Sequence, residues 1–130
     1  MAVLVTAEDD EDIRMLVARS LRKAGHQVIA VANGREGLAA VRKHRPDAVI
    51  TDIDMPYMTG LQMCREIRRD PELRHIPVVV VSGSLDCEDT HVLEAGVTAV
   101  IPKPVAAGVL LHQLTEVLAH PSQRAGKSLT

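Results

Sequence analysis

Several residues able to hold a cation or move a phosphoryl group stand where apolar runs of this 130-residue chain stop. The run Val3–Ala7 gives way to Glu8-Asp9, and the stretch Asp47-Ala48-Val49-Ile50-Thr51 to Asp52, with Asp54 two residues on. Val78–Val81 ends on Ser82, and Ala99–Ile101 on Pro102-Lys103. If Glu8, Asp9 and Asp52 converge, three carboxylates need a cation, and hard oxygen ligands select Mg²⁺. The metal would screen Asp52 enough for its carboxylate to attack an anionic phosphorus, as aspartyl-phosphate chemistry requires. The Ser82 hydroxyl and the Lys103 ammonium would meet the charge developing on the phosphoryl oxygens, and Gly83 leaves room for the group against the backbone. Taken singly, each has a plainer use: an acid at a strand end caps a turn, and a lysine at a sheet edge is solvated. The conjunction at four strand ends carries the reading.

The elements that must position these groups are legible from periodicity. Short, wholly apolar runs predict strands buried on both faces at residues 2–7, 27–32, 47–52, 76–82 and 98–101. Between them, Ile13, Leu16, Val17, Leu21 and Ala24 recur at helical spacing, and Gly25 is placed to end that helix. Asn33 with Glu36 resembles a capping box opening a helix through His44, and Thr59 with Gln62 another before Leu61–Arg69. Asp86 is expected to cap a helix through Ala95, and Ala106–Ala119 is a last helix. Of the five successive acids Glu8 to Asp12, Asp10, Glu11 and Asp12 suit the positive helix N-terminus, which leaves Glu8 and Asp9 at the strand tip. Five strands alternating with five helices predict an α/β fold, one parallel sheet covered on both faces. Such sheets bind ligands at the carboxyl ends of their strands, where all these groups lie. Pro102 lacks a ladder donor, so the fifth strand is expected at an edge.

Composition narrows the classes. Phe and Trp are absent and Tyr57 is the sole aromatic, so the core must be aliphatic. A net charge of −2 provides no basic field for direct nucleic-acid binding. Cys64 and Cys87 lack metal-ligand spacing and read as thiols of a reducing compartment. The six histidines show no ligand spacing either. With no secretory signal and no apolar run of about 18 residues, neither export nor membrane insertion is expected, and a cytoplasmic location is. Residues 1–120 read as one domain; 121–130 lack periodicity and read as a flexible tail or linker stub.

The chain resembles a response-regulator receiver domain over roughly residues 2–120. The resemblance rests on Val3-Leu4-Val5-Thr6-Ala7-Glu8-Asp9-Asp10, Asp52-Ile53-Asp54-Met55-Pro56 with Gly60, Ile76-Pro77-Val78 leading to Ser82-Gly83, and Lys103-Pro104. It implies a flavodoxin-like sheet of order 2-1-3-4-5. It further implies Asp52 as phosphoacceptor and Asp9 as a direct Mg²⁺ ligand. Glu8 would act at the metal through water, and the Asp54 backbone carbonyl would be a further ligand. Ser82 would turn toward the phosphate, with Lys103 pairing to it, and Lys103-Pro104 would be a cis peptide. The phosphodonor would be a histidine kinase or histidine phosphotransfer protein, and the output a protein target outside this chain.

Two departures stand out. Val100 occupies the fifth-strand position where the family usually swings an aromatic ring, and Val105 follows Lys103-Pro104 where Phe is common. The switch formed by Ser82, Val100 and Pro104 would therefore lack its aromatic relay. Asp54 and Ser84, two residues beyond Asp52 and Ser82, flank the path of an attacking water and would set the phosphate lifetime. The last helix is apolar beyond one buried stripe, yet carries few charges, so a monomer or weak dimer is expected. Two alternatives compete with a signalling domain that catalyses only its own phosphorylation and slow dephosphorylation. One is a phosphorylation-independent receiver acting as a binding module. The other is a haloacid-dehalogenase-type phosphatase using Asp52 and Asp54, disfavoured because that motif belongs on a first strand.

Overall fold

The computed structural model describes residues 2–83 and 89–119. Among these, the strands are β1 (Val3–Ala7), β2 (Gln27–Val31), β3 (Ala48–Asp52), β4 (Val78–Ser82) and β5 (Ala99–Pro102). They form one parallel sheet in the order β2-β1-β3-β4-β5, the expected doubly wound arrangement, with Pro102 on the edge strand. The helices are α1 (Glu11–Lys23), α2 (Gly34–His44), α3 (Gly60–Arg69), α4 (Thr90–Ala95) and α5 (Ala107–Ala119). None of the described helices is long and apolar enough to cross a membrane.

Side chains alternate across a strand, so each buried strand feeds two cores. Val5, Val49, Val78 and Val80 face one core with Leu38 and Val41 of α2, Met63 and Ile67 of α3, and Val92 of α4. Leu4, Ile50, Val79 and Ile101 face the other, with Ala18 and Leu21 of α1 and Leu110, Leu114 and Val117 of α5. Neither core holds an aromatic ring, and in the first methionine and cysteine fill gaps; the buried Cys64 thiol donates to the Ala95 carbonyl at 3.1 Å, joining α3 to α4.

The helix termini follow from local chemistry, with some departures from expectation. Thr59 and Gln62 form the reciprocal capping box of α3. At α2 only half of the predicted box forms: Asn33 accepts from the Glu36 N–H at 2.8 Å, while Glu36 Oε1 accepts from the Ala32 N–H. Asp89 caps α4, its side chain accepting from the His91 N–H; the expected cap, Asp86, lies outside the described residues, as do Cys87 and the stretch 121–130. The larger departure is in α1. Its buried residues are Ala18 and Leu21, whereas Ile13 and Leu16 are 40% and 61% exposed and Ala24 is exposed. The first turns of α1 stand over an open cleft above the sheet, so periodicity alone overstated the buried stripe.

Candidate functional site

Strand register assembles the site. Ala7 pairs with Thr51, Asp52 with Val81, and Ser82 with Pro102. Glu8, Asp52, Ser82 and Lys103, each at or just beyond a strand end, therefore collect at one edge of the sheet. Carboxylate oxygens of Glu8, Asp9 and Asp52 lie within 4.8 Å of one another. The Lys103 ammonium sits 3.1 Å from Asp52 Oδ1 and 3.7 Å from Glu8 Oε1. Asp52 Oδ1 also accepts from the Ile53 N–H at 2.8 Å, which fixes the carboxylate at the strand tip.

The crowding of acids is visible in their protonation. Burial pushes the Glu8 carboxyl up to about 7 from 4.5. A hydrogen bond with Asp9 and the negative charge of Asp52 add to that rise, against the Asp10 N–H and Lys103, which lower it. For Lys103, burial works against the charged form, but its hydrogen bond to Asp52 and the charges of Asp52, Glu8 and Asp9 outweigh it, so the ammonium is held above its ordinary value. A carboxyl raised by burial and by the charge of a neighbouring acid, beside two other carboxylates, marks a place suited to a divalent cation. All three donors are hard oxygens, which fits Mg²⁺.

The other expected residues distribute as follows. Ser82 is buried at the end of β4, and its carbonyl accepts from the Lys103 N–H at 3.0 Å, so hydroxyl-bearing and ammonium-bearing residues are tied through the backbone. A Cβ built on Gly83 would meet only the Lys103 Cβ, at 4.0 Å, so the space above it is open. The Asp54 side chain is exposed in the loop after β3. Val100 is half-buried against the core under α2, α3 and α4, and Lys103-Pro104 is a cis peptide. Tyr57 is 74% exposed, its ring lying 5.1 Å from the Arg35 guanidinium. Ser84 falls outside the described residues.

Three further residues support the site. Arg14, near the start of α1, donates to the Glu8 carbonyl at 2.9 Å and the Asp9 carbonyl at 3.4 Å, clamping the acidic loop to the helix. Thr51 donates to the Asp52 carbonyl at 2.8 Å. Gly60 begins α3 directly against that carbonyl: a Cβ there would overlap the Asp52 oxygen and lie 3.1 Å from its carbon. The motif Asp52 to Gly60 hinted at the last; an arginine six residues from Glu8 gives no sequence signal for a backbone clamp.

This chain matches the model of the response regulator receiver domain over residues 3–115. It is 36% identical over 119 residues to the transcriptional regulatory protein AfsQ1 of Streptomyces coelicolor, covering 91% of this chain and 52% of that protein. It thus spans about half the length of that relative, and only 18% of the sensory/regulatory protein RpfC of Xanthomonas campestris. The polar-differentiation response regulator DivK of Brucella anthropi is 35% identical over 100 residues, covering 75% of this chain and 81% of that protein. Among solved structures, the chemotaxis response regulator CheY4 of Vibrio cholerae superposes with a TM-score of 0.85 at 31% identity, covering 90% of this chain and 98% of that one.

Proposed function

The chain belongs to the response regulator receiver domain family, and from that premise we propose that it is a Mg²⁺-dependent phosphoacceptor whose acceptor is Asp52. The observation that carries the reading is the Glu8, Asp9, Asp52 cluster with Lys103 bridging two of its members. Glu8, Asp9, Asp52 and the Asp54 carbonyl would hold the metal. Bound there, Mg²⁺ supplies charge that lets a carboxylate approach an anionic phosphoryl group.

The chain's own residues do the rest. An Asp52 carboxylate oxygen attacks the phosphorus of a phosphohistidine on a kinase or phosphotransfer protein. The O–P bond forms as the P–N bond breaks, and the imidazole nitrogen keeps the electron pair. Lys103 neutralises charge on the phosphoryl oxygens, and the Ser82 hydroxyl donates to one of them. The transferred group adds about −1.5 to −2 charge at the end of β3. That charge draws Ser82 and Lys103 inward and biases the surface near β5, with Val100 and Pro104 in the switch. Val100 has no ring to swing, so the readout lacks the family's aromatic relay. The signal passes to a protein target, and the domain is no enzyme in the ordinary sense.

Intact-protein mass after incubation with acetyl phosphate and Mg²⁺ tests this, beside Asp52→Asn and a magnesium-free control. One phosphoryl adduct, lost in both controls, is expected. Its decay gives the phosphate lifetime, which Asp54→Ala should lengthen by removing a carboxylate that orients attacking water. No adduct in the wild type, with Mg²⁺ binding verified, would leave the phosphorylation-independent binding module, the reading Val100 favours. Turnover of phosphomonoesters would point instead to the phosphatase.

A further inference from the structure

One strained residue stands in the loop between β3 and α3. The Met58 N–H donates to the Pro56 carbonyl at 2.8 Å, closing a three-residue turn with Tyr57 at its centre and a φ there of 70°. A turn of this kind with positive φ is rare and costly for a residue bearing a Cβ. Among the described residues, the other non-glycine with positive φ is Arg45, the C-cap of α2, where that conformation is ordinary. Tyr57 is 74% exposed, so no core packing holds its ring in place. What meets the turn comes from the start of α2. The Arg35 guanidinium lies 5.1 Å from the centre of the Tyr57 ring, within cation–π range. One residue earlier Gly34 abuts Met58, where a Cβ would overlap the Met58 carbonyl oxygen.

The loop transmits what happens at Tyr57, because its base is closed. There the Gly60 N–H donates to the Ile53 carbonyl at 2.9 Å. A rotation of Tyr57 toward negative φ must therefore be absorbed by the residues between those two. Thr59 is held by the capping box of α3, and Met58 by its contact with Gly34. Pro56 has its φ fixed by its ring, and the Met55 side chain is buried in the core. Asp54 is exposed, and on the acceptor side of the turn it is the residue left to rotate.

We propose that Arg35 is a positioning residue: by stacking on Tyr57 it holds the strained turn, and through the closed loop it fixes the orientation of the Asp54 carbonyl. The hold on the turn stands on this geometry alone; its consequence for Mg²⁺ rests on the metal-binding reading above. The two effects of Arg35 on a cation have opposite signs. A guanidinium near the site repels Mg²⁺, so deleting its charge should tighten binding. Deleting the clasp lets the Asp54 carbonyl turn away and should weaken it.

Amide hydrogen exchange of Met58, followed by NMR on the isotope-labelled chain in chelator, reads the turn directly. Arg35→Ala should speed it about two- to fivefold, the worth of an exposed cation–π contact. Arg35→Lys, which keeps a cation for the ring, should recover most of that protection. Tyr57→Gly removes both the ring and the steric objection to positive φ, so adding Arg35→Ala to it should change nothing further. Equal acceleration with and without Tyr57→Gly, or none in either, would overturn the proposal. Calorimetric Mg²⁺ titration at fixed ionic strength then tests the consequence. Arg35→Ala should weaken binding about two- to fivefold, by the same contact; tighter or unchanged binding would refute the link to the Asp54 carbonyl. A wild type that binds no Mg²⁺ would overturn the metal-binding reading, while the exchange rates still decide whether the clasp exists.

Discussion

Lys103→Met separates the two tasks placed on the ammonium, because they respond in opposite directions. Methionine keeps an unbranched stem of similar length and removes the charge. In the native site that charge stands 3.1 Å from Asp52 and 3.7 Å from Glu8, where it would compete with a bound divalent cation for the same oxygens. Unit charges 3–4 Å apart attract by about 4 kcal/mol at an effective dielectric of 20. The side chain is 33% exposed, and solvent screening reduces the pair to about 1 kcal/mol. Removing the competitor should thus tighten Mg²⁺ binding about five- to tenfold. The lysine charge also lowers the Glu8 pKa, so its loss drives that group further up from about 7. Titration at pH 8.5 or above keeps the comparison between ionised acids. Adduct formation from acetyl phosphate at saturating Mg²⁺ should instead fall about 10²-fold, the typical cost of removing one preorganised donor to a developing oxyanion. Calorimetric Mg²⁺ titration and timed intact mass measure the two. Weaker Mg²⁺ binding would refute the competition argument, and an unchanged rate the stabilising role. A misfolded variant would lose both, which the opposite signs expose.

Two further outcomes follow from the site's protonation and packing. Glu8 titrates near 4.5 in the unfolded chain and near 7 in the folded one, so folding favours its protonated form. Its contribution to stability is complete below about pH 4.5 and is lost as pH rises through 7. Urea midpoints in chelator should therefore fall from pH 5 to 8 relative to Glu8→Gln, and Mg²⁺ should restore the wild type more at pH 8 than at pH 5; parallel pH profiles for the two proteins would contradict this. Gly60→Ala should destabilise by about 1–3 kcal/mol, since the new methyl overlaps backbone of Asp52 that cannot swing away. Gly108→Ala, where nothing lies within 4 Å of the added carbon, should stabilise α5 by about 0.5–1 kcal/mol. Equal melting shifts for the two would show that the α3 start does not bear on β3.

How far the site could be read before the fold depends on where its geometry originates. In a parallel sheet whose central strands are buried on both faces, chain order and the apolar run lengths determine which residue stands at each carboxyl end. Glu8, Asp52, Ser82 and Lys103 were legible for that reason, being the first polar groups after β1, β3, β4 and β5 or the last within them. Arg14 was not, because its role lies in reaching backward over one helical turn to two carbonyls, which spacing does not encode. The α1 stripe failed for a related cause. Hydrophobic periodicity reports which helix face is apolar, and says nothing of whether something lies opposite. Here Ala18 and Leu21 meet the sheet while Ile13 and Leu16 overhang the cleft. An apolar helix face left over an aliphatic cavity is a conflict between local pattern and global packing. Such conflicts raise the energy of the folded state, and they persist where something else is gained from them.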